Sequence, residues 1–446
     1  MRARRFRGGS RSPVGGCCGR PDRNDRGAAL IAVMAFIVVV LLVGVALFTL
    51  GTAESDLVDH AADGREAFWL AEAGLEQARA WLAQRYADDT SFDPVGTEVS
   101  GPLLGEGDYS FRVISHAGGS IPAYVVESDG LVDGVLRRVR ATFTAESLAR
   151  YQWLVDSQAP DTWIKTGDNF EGPVHMNGHL RIDGDPWFGA KVTASGDYIE
   201  KPGSDPTFTQ GYEVGVPEVV FPDLSEVEAS LRAAAISGGV FGPSLGGSDY
   251  YEVELGRVGV GTLSYRVVGT PTSDWVDVSI ASLGGAAWFD SEVWVKGVID
   301  GELTIGCAED LYISGDIIFY DSTPGSGPDP GCDDVFGIIG AENVYVAKTP
   351  ENSTDCEIHG VIMALDRRFQ VEDWNKSPSR GTLTIWGGII ADQAWRINTF
   401  VGVNLRSGYL RDFHYDGRMS SIFPPFFPLT GRFLMTSWEE VMLPEV

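Results

Sequence analysis

From Ala28 to Ala53 the chain runs for 26 consecutive residues without a charge, most of them Ala, Leu, Ile, Val, Met or Phe. As a helix this run would be about 39 Å long, against a hydrocarbon core of roughly 30 Å. Eight arginines against only Asp22 and Asp25 precede it, and Glu54, Asp56 and Asp59 follow it. The positive-inside rule therefore places residues 1–26 in the cytoplasm and the body outside. A cleaved secretory signal would carry an apolar stretch of about 7–15 residues. This run is longer, although Gly51-Thr52-Ala53 has the small side chains of a cleavage site. Arg4-Arg5 lies too far from the apolar run to act as a twin-arginine signal.

The helical pattern continues beyond the apolar run. Leu57, Ala61, Gly64, Phe68, Ala71, Leu75, Ala78 and Leu82 alternate by four and three positions. That spacing keeps one apolar stripe on one side of a helix of about 55 residues. Most of these side chains are small, which permits close approach to a neighbouring surface. Asp59, Asp63, Glu66, Glu72 and Glu76 lie off the stripe. Its distal half is expected to pack on the chain's own sheet and its proximal half against other subunits.

These residues carry a resemblance. Arg26-Gly27-Ala28-Ala29-Leu30, with basic residues before and an apolar run after, resembles a type IV prepilin leader. The stretch Gly64-Arg65-Glu66-Ala67-Phe68-Trp69-Leu70-Ala71-Glu72-Ala73-Gly74-Leu75-Glu76 is similar to the first helix of PilX-like minor pilins. The resemblance covers residues 26–82. It implies cleavage between Gly27 and Ala28 by a prepilin peptidase, residence in the inner membrane, and partnership with other pilin-like subunits. Major pilins carry a glutamate at the fifth mature position, where this chain has Ala32. That departure implies a minor or tip subunit rather than the bulk of a fibre.

Beyond the helix, residues 86–107 are rich in Gly, Pro, Asp and Ser and read as a loop. Three strands are predicted at Asp108–Ser115, Ile121–Glu127 and Gly134–Ala145, the last with clear alternation of Val135, Val139, Ala141 and Phe143 against Arg138, Arg140 and Thr142. From Tyr151 onward one helix is expected, at Leu224–Ile236. Five glycine-led apolar runs begin at Gly297, Gly315, Gly337, Gly360 and Gly388. Strand-like triplets such as Leu303-Thr304-Ile305 and Val344-Tyr345-Val346 lie between them. Short strands recurring every 20–25 residues or so suit a parallel β-helix; an irregular sandwich is the other reading. Thr166–Leu180 and the Pro424–Glu440 ending also resemble an uncharacterised bacterial domain found after PilX-like amino termini.

The expected fold is thus an α+β pilin-like module, a long helix plus an antiparallel meander, followed by a large all-β domain of β-helix or solenoid type. The boundaries are 1–27 for the leader, 28–53 for the membrane part of the helix and 54–85 for its extracytoplasmic part. Residues 86–150 form the meander and 151–446 the β-rich domain.

Candidates for chemistry are weak. His175 and His179 have zinc-ligand spacing, but Asn177-Gly178 between them signals a turn, and no Glu follows His175. Adjacent carboxylates such as Glu309-Asp310 and Asp333-Asp334 would point to opposite faces of a strand. The Asp321–Asp334 loop has oxygen ligands for Ca²⁺ without the EF-hand spacing. No catalytic residue, metal or cofactor is assigned. Cys17 and Cys18 belong to the leader; Cys307, Cys332 and Cys356 are spaced 25 and 24 residues apart, close to the suspected turn length. In an oxidising compartment one disulfide with a leftover thiol is expected among those three. Three unpaired buried thiols is the other outcome, and the spacing does not choose a pair. Twelve tryptophans, including Trp153, Trp163, Trp187, Trp275, Trp288 and Trp294, would suit either a core or carbohydrate stacking platforms.

Charge narrows the partners. The chain carries a net −28, and beyond residue 26 it holds 26 basic against 60 acidic residues. Such a body repels phosphate backbones, which argues against nucleic acid. The expected function is a membrane-anchored minor pilin or pseudopilin whose β-rich body makes adhesive or partner contacts, with a surface or carbohydrate ligand open. A plain anchored adhesin and a β-helical polysaccharide-active enzyme are the rivals.

Overall fold

The computed structural model describes residues 25–88, 92–101, 107–117, 121–157, 163–401 and 404–442. Most of the leader, with Cys17 and Cys18, lies outside the described residues. Helix α1 spans Asp25–Asp88, 64 residues, and so begins just before the Gly27–Ala28 peptide. Between Pro21 and Pro94 the sequence holds no proline, so nothing interrupts the backbone ladder over this length.

Four antiparallel strands follow: β1 Glu98–Ser100, β2 Gly107–His116, β3 Ala123–Val132 and β4 Val135–Ser147. β3 and β4 pair up to Val132↔Val135. The two-residue turn between them is Asp133-Gly134, both at positive φ (43° and 84°), the conformation that a tight hairpin requires. The fifth strand of this sheet comes from the other end of the chain. Leu429–Val441 lies antiparallel to β4, giving the order β1, β2, β3, β4, carboxy-terminal strand.

One face of the sheet carries Phe111 and Val113 from β2, Val126 from β3, and Val139, Ala141 and Phe143 from β4. It packs on Ala71, Leu75, Ala78 and Leu82 of α1. The helix comes close because Gly130 offers no side chain: a Cβ there would overlap the Ala67 carbonyl oxygen and lie 2.6 Å from the Ala71 nitrogen.

The remaining chain is β-rich and mostly parallel. Its longest ladder can be followed through one column, buried from Val240 to Val192 and exposed at its end: Val240, Ala287, Ile305, Ile338, Ile362, Ile389, Trp153, Val174, Val192 and Tyr212. The order departs from chain order. The chain enters in the middle, at Trp153–Ser157, and proceeds outward to Tyr212–Val214. It then crosses by a helical segment, Leu224–Gly238, to the opposite end at Val240–Gly242, and works back until Ser379–Arg396 pairs with the entry strand. A second ladder aligns Val253, Val295, Ile313, Val346 and Val371, and a third aligns Gly297, Ile317, Ile358, Ile385 and Phe413. Their inward side chains form one large core, with Phe170, Phe188 and Phe208 stacked ring on ring at 5.3 and 4.9 Å.

Two expectations change. The boundary at residue 150 leaves the last strand on the wrong side, because Leu429–Val441 takes its hydrogen-bond partners from β4. The β-rich region is therefore inserted between β4 and that strand. The five glycine-led runs also do not form one series. Gly297 and Ile317 belong to one ladder, whereas Gly337, Val361 and Gly388 share register in another.

Candidate functional site

Helix α1 is the feature that does not fit inside its own chain. Every residue from Ala29 to Ala62 is exposed, whereas Ala67, Leu70, Ala71, Gly74, Leu75, Ala78 and Leu82 are buried. The stripe read from the sequence therefore divides. Ala71, Leu75, Ala78 and Leu82 rest on the sheet, Gly64 and Phe68 are half-buried at its margin, and Leu57 and Ala61 face outward. Ala67, Leu70 and Gly74 join the buried face although they lie off the heptad. A helix on a sheet buries a broader arc than the narrow seam of a coiled coil. The helix is long and apolar enough to cross a membrane.

The margin where the helix leaves its domain is reinforced by the carboxy-terminal strand. Trp438 Nε1 donates to Glu72 Oε1 at 2.7 Å, and its ring meets Phe68 edge-on at 6.3 Å. Trp69 beside it is 68% exposed. Exposed apolar side chains thus recur beyond the uncharged run, at Leu57, Val58 and Trp69, between charged residues. Across the same sheet Glu127 accepts hydrogen bonds from Arg112 and Arg140, each with an N···O distance of 2.6 Å. Burial raises its pKa, but the two arginine hydrogen bonds and Arg138 outweigh it and hold the carboxyl below its usual range.

A cleft of about 760 Å³ separates the helix from the β-rich region. Beyond Leu154 the outward column of the long ladder turns polar, through His175, Thr193 and Glu213, and these line the cleft opposite Arg79 and Ala83. His175 is buried, and its ring nitrogens lie 2.7 Å from Thr193 Oγ1 and 2.8 Å from Asn177 Oδ1. Burial depresses its pKa, against the hydrogen bond to Asn177, which raises it. His179 follows the Asn177-Gly178 bend, and its Nδ1 accepts from the Asp197 amide at 2.9 Å. The two histidines serve separate strands, as the turn signal suggested.

The other singled-out residues have structural partners. Asp310 accepts the amide of Asn343 at 2.9 Å, and Asp334, fully buried, accepts those of Gly301 and Asp321 at 2.7 and 3.1 Å. Asp333 points to solvent, opposite to its neighbour. In the Asp321–Asp334 loop, Asp329 accepts from Thr323 at 2.9 Å. Cys307, Cys332 and Cys356 are all free thiols and buried, so the expected disulfide is not formed. Burial pushes the Cys307 thiol up to about 12.

Of the six singled-out tryptophans, five are buried or have a ring face covered, and Trp187 is 39% exposed. Trp153 and Trp288 are buried. Trp163 is covered by Lys201 at 4.5 Å, and Trp275 has Arg257 and Arg266 each 4.5 Å from its ring. Trp294 stacks on Tyr312, and Tyr312 on Tyr345, at 4.7 and 4.8 Å. Rings stacked on each other turn their edges outward and cannot also bed a sugar between them. This file is not apparent in the sequence, because its members belong to different strands.

Comparison with known proteins adds little beyond this geometry. A family described as a domain of unknown function, DUF4900, matches residues 116–196. That stretch runs from the end of β2 through β4 and into the long ladder, so it straddles the expected boundary at 150. No curated protein matches in sequence. Among solved structures, the competence-associated pilin ComZ from Thermus thermophilus is similar at 13% identity and a TM-score of 0.34, over 85% of this chain and 97% of that one.

Proposed function

We propose that this chain is a membrane-anchored, pilin-like minor subunit, made with a leader that a prepilin peptidase removes after Gly27. In this reading the helix holds the subunit in the inner membrane, with the body outside, until assembly. Its outward stripe then packs against the helices of other subunits in a pilus or related secretion machine. Burial between helices replaces contact with lipid.

The observation that carries the reading is the division of α1. Ala29 to Ala62, including the uncharged run to Ala53, is exposed and meets no other element among the described residues, while Ala67 to Leu82 is docked on the sheet. A water-soluble protein would not leave an apolar surface of that length uncovered.

We read the stacked parallel ladders as a β-helix that projects from the assembly and makes contacts rather than catalysing a reaction. The carboxylates Asp310 and Asp334 support this, since their oxygens accept main-chain amides that shape turns.

The test is the amino-terminal sequence and intact mass of the protein purified from membranes of a host that has a prepilin peptidase. A chain starting at Ala28 with one added methyl group supports the proposal. A chain retaining Met1 overturns it in favour of a plain anchored adhesin. A chain starting at Glu54 makes the run an ordinary secretory signal.

A further inference from the structure

The file of outward rings, Trp294, Tyr312 and Tyr345, ends at Tyr345, whose register partner on the next strand is Gln370. Here the ladder is irregular: between Ala364↔Ala391 and Arg368↔Gln393, the residues Leu365, Asp366 and Arg367 stand opposite the single Asp392. A bulge of this kind re-aims side chains. It opens a pocket of about 490 Å³ beside Tyr345, lined entirely by polar or aromatic residues.

Three arginines line this pocket, in a chain whose net charge is −28. Arg367 lies within 3.5 Å of Glu342 and 3.9 Å of Asp366. The other two form no close ion pair among the described residues, although Asp392 lies near enough to Arg368 to favour its charge. Arg368 donates to the side-chain carbonyl of Gln393, and Arg396 lies over the Trp374 ring at 5.7 Å. Burial and the charge of Arg396 make the cationic form of Arg368 less favourable than usual, against the opposing charge of Asp392. Two neighbouring guanidinium groups that form no close ion pair of their own are a site for a carboxylate, which their planar donor forks match.

The rest of the lining says more about the ligand. Gln370, Gln393 and Asn343 supply amides that donate and accept, and Asp366 and Asp392 supply acceptors suited to hydroxyl groups. Two carboxylates in the wall would repel a doubly charged phosphate group more strongly than a singly charged carboxylate. With no aliphatic side chain in the lining, the pocket gives an apolar peptide anchor nothing to bind.

We propose that this pocket binds a uronate-type acidic saccharide, its carboxylate held by Arg368 and Arg396 and its hydroxyls by the amides and aspartates. This names a ligand class for the β-rich body and rests on reading that body as the contact-making part.

The test uses the full chain in non-ionic detergent and calorimetric titration with a galacturonate tetramer. Its methyl ester, which removes the charge and adds only a methyl group at each carboxyl, and inorganic sulfate are the comparison probes. The tetramer is expected to bind, with the ester about tenfold or more weaker, as loss of a charge-assisted pair implies. Arg396→Gln and Arg368→Gln should each weaken the tetramer by a similar factor. Arg396 is exposed, so its variant keeps the fold, which an unchanged melting curve verifies.

No binding of the tetramer, equal binding of the ester, or an unaffected Arg396→Gln variant would overturn the proposal. Sulfate binding as tightly as the tetramer would reduce the pocket to a simple anion site and overturn the saccharide assignment. None of these results depends on leader cleavage, so failure here is distinguishable from failure of the pilin reading.

Discussion

The contact of Gly130 with helix α1 supports a quantitative prediction. Replacing Gly130 with alanine places a methyl group inside the contact shell of the Ala67 carbonyl, 2.6 Å from the Ala71 nitrogen and 2.9 Å from Leu70 Cβ. Two of these three neighbours are backbone atoms, so no rotamer change relieves the overlap. The helix must move off the sheet. If the shift is absorbed locally, overpacking costs about 1 kcal/mol. If Leu70 and Ala67 lose their seat against Tyr109 and Val132, the cost rises to about 3 kcal/mol. Gly246 is the control: a Cβ there meets nothing within 4 Å, and alanine should leave stability unchanged or raise it by at most about 1 kcal/mol. Denaturant unfolding of the full chain, followed by near-ultraviolet circular dichroism, reads both variants. A Gly130→Ala protein as stable as the Gly246→Ala control would refute the close docking of helix on sheet.

Three further outcomes are expected. Glu127 has its folded pKa held below the ordinary 4.5, so its stabilisation is complete above that value and is lost as pH falls through the folded pKa. Glu127→Gln should cost about 1–2 kcal/mol at pH 7, reduced because the arginines reach solvent, and the gap to wild type should close in acid. Iodoacetamide should leave Cys307 and Cys356 unlabelled in the native protein; after unfolding without reductant, mass spectrometry should count all three body cysteines as alkylated, and a protected pair would reveal a disulfide. A fragment of residues 54–150 should not melt cooperatively, because β4 lacks its outer partner, whereas joining Ser147 to Leu429–Val441 through a short linker should restore a transition; cooperative melting of the unlinked fragment would count against the inserted arrangement.

What could be read from the sequence was local. The α1 stripe announces itself because apolar residues alternate by four and three positions without interruption, and the turn at Asn177-Gly178 because that dipeptide favours a tight bend, which separated His175 from His179. The strand expected at Ile121–Glu127 stops short: β3 runs on to Val132, and the turn falls at Asp133-Gly134. Pairings across hundreds of residues leave no such mark. Nothing near Phe433 or Trp438 says that their strand belongs beside β4, and nothing near Trp153 says that it lies between Ile389 and Val174. The glycine-led runs were visible but could not be sorted, since two ladders use similar short segments. The arginine pocket was hidden for a further reason: it depends on a bulge at Leu365–Arg367, where register and not composition decides which side chains turn outward.

The insertion of the β-rich region between β4 and the carboxy-terminal strand also has a mechanical consequence. Two chain crossings join the body to the sheet, and they run side by side, with the Leu148 amide donating to the Pro428 carbonyl at 3.0 Å. A body tethered by one strand can swivel, and its tether bears the whole of any pull. Two adjacent tethers share the tension and leave little freedom to rotate. Load passing from the body toward the helix then meets the β4–carboxy-terminal pairing along its strands, so that many hydrogen bonds must shear together before any one of them can peel.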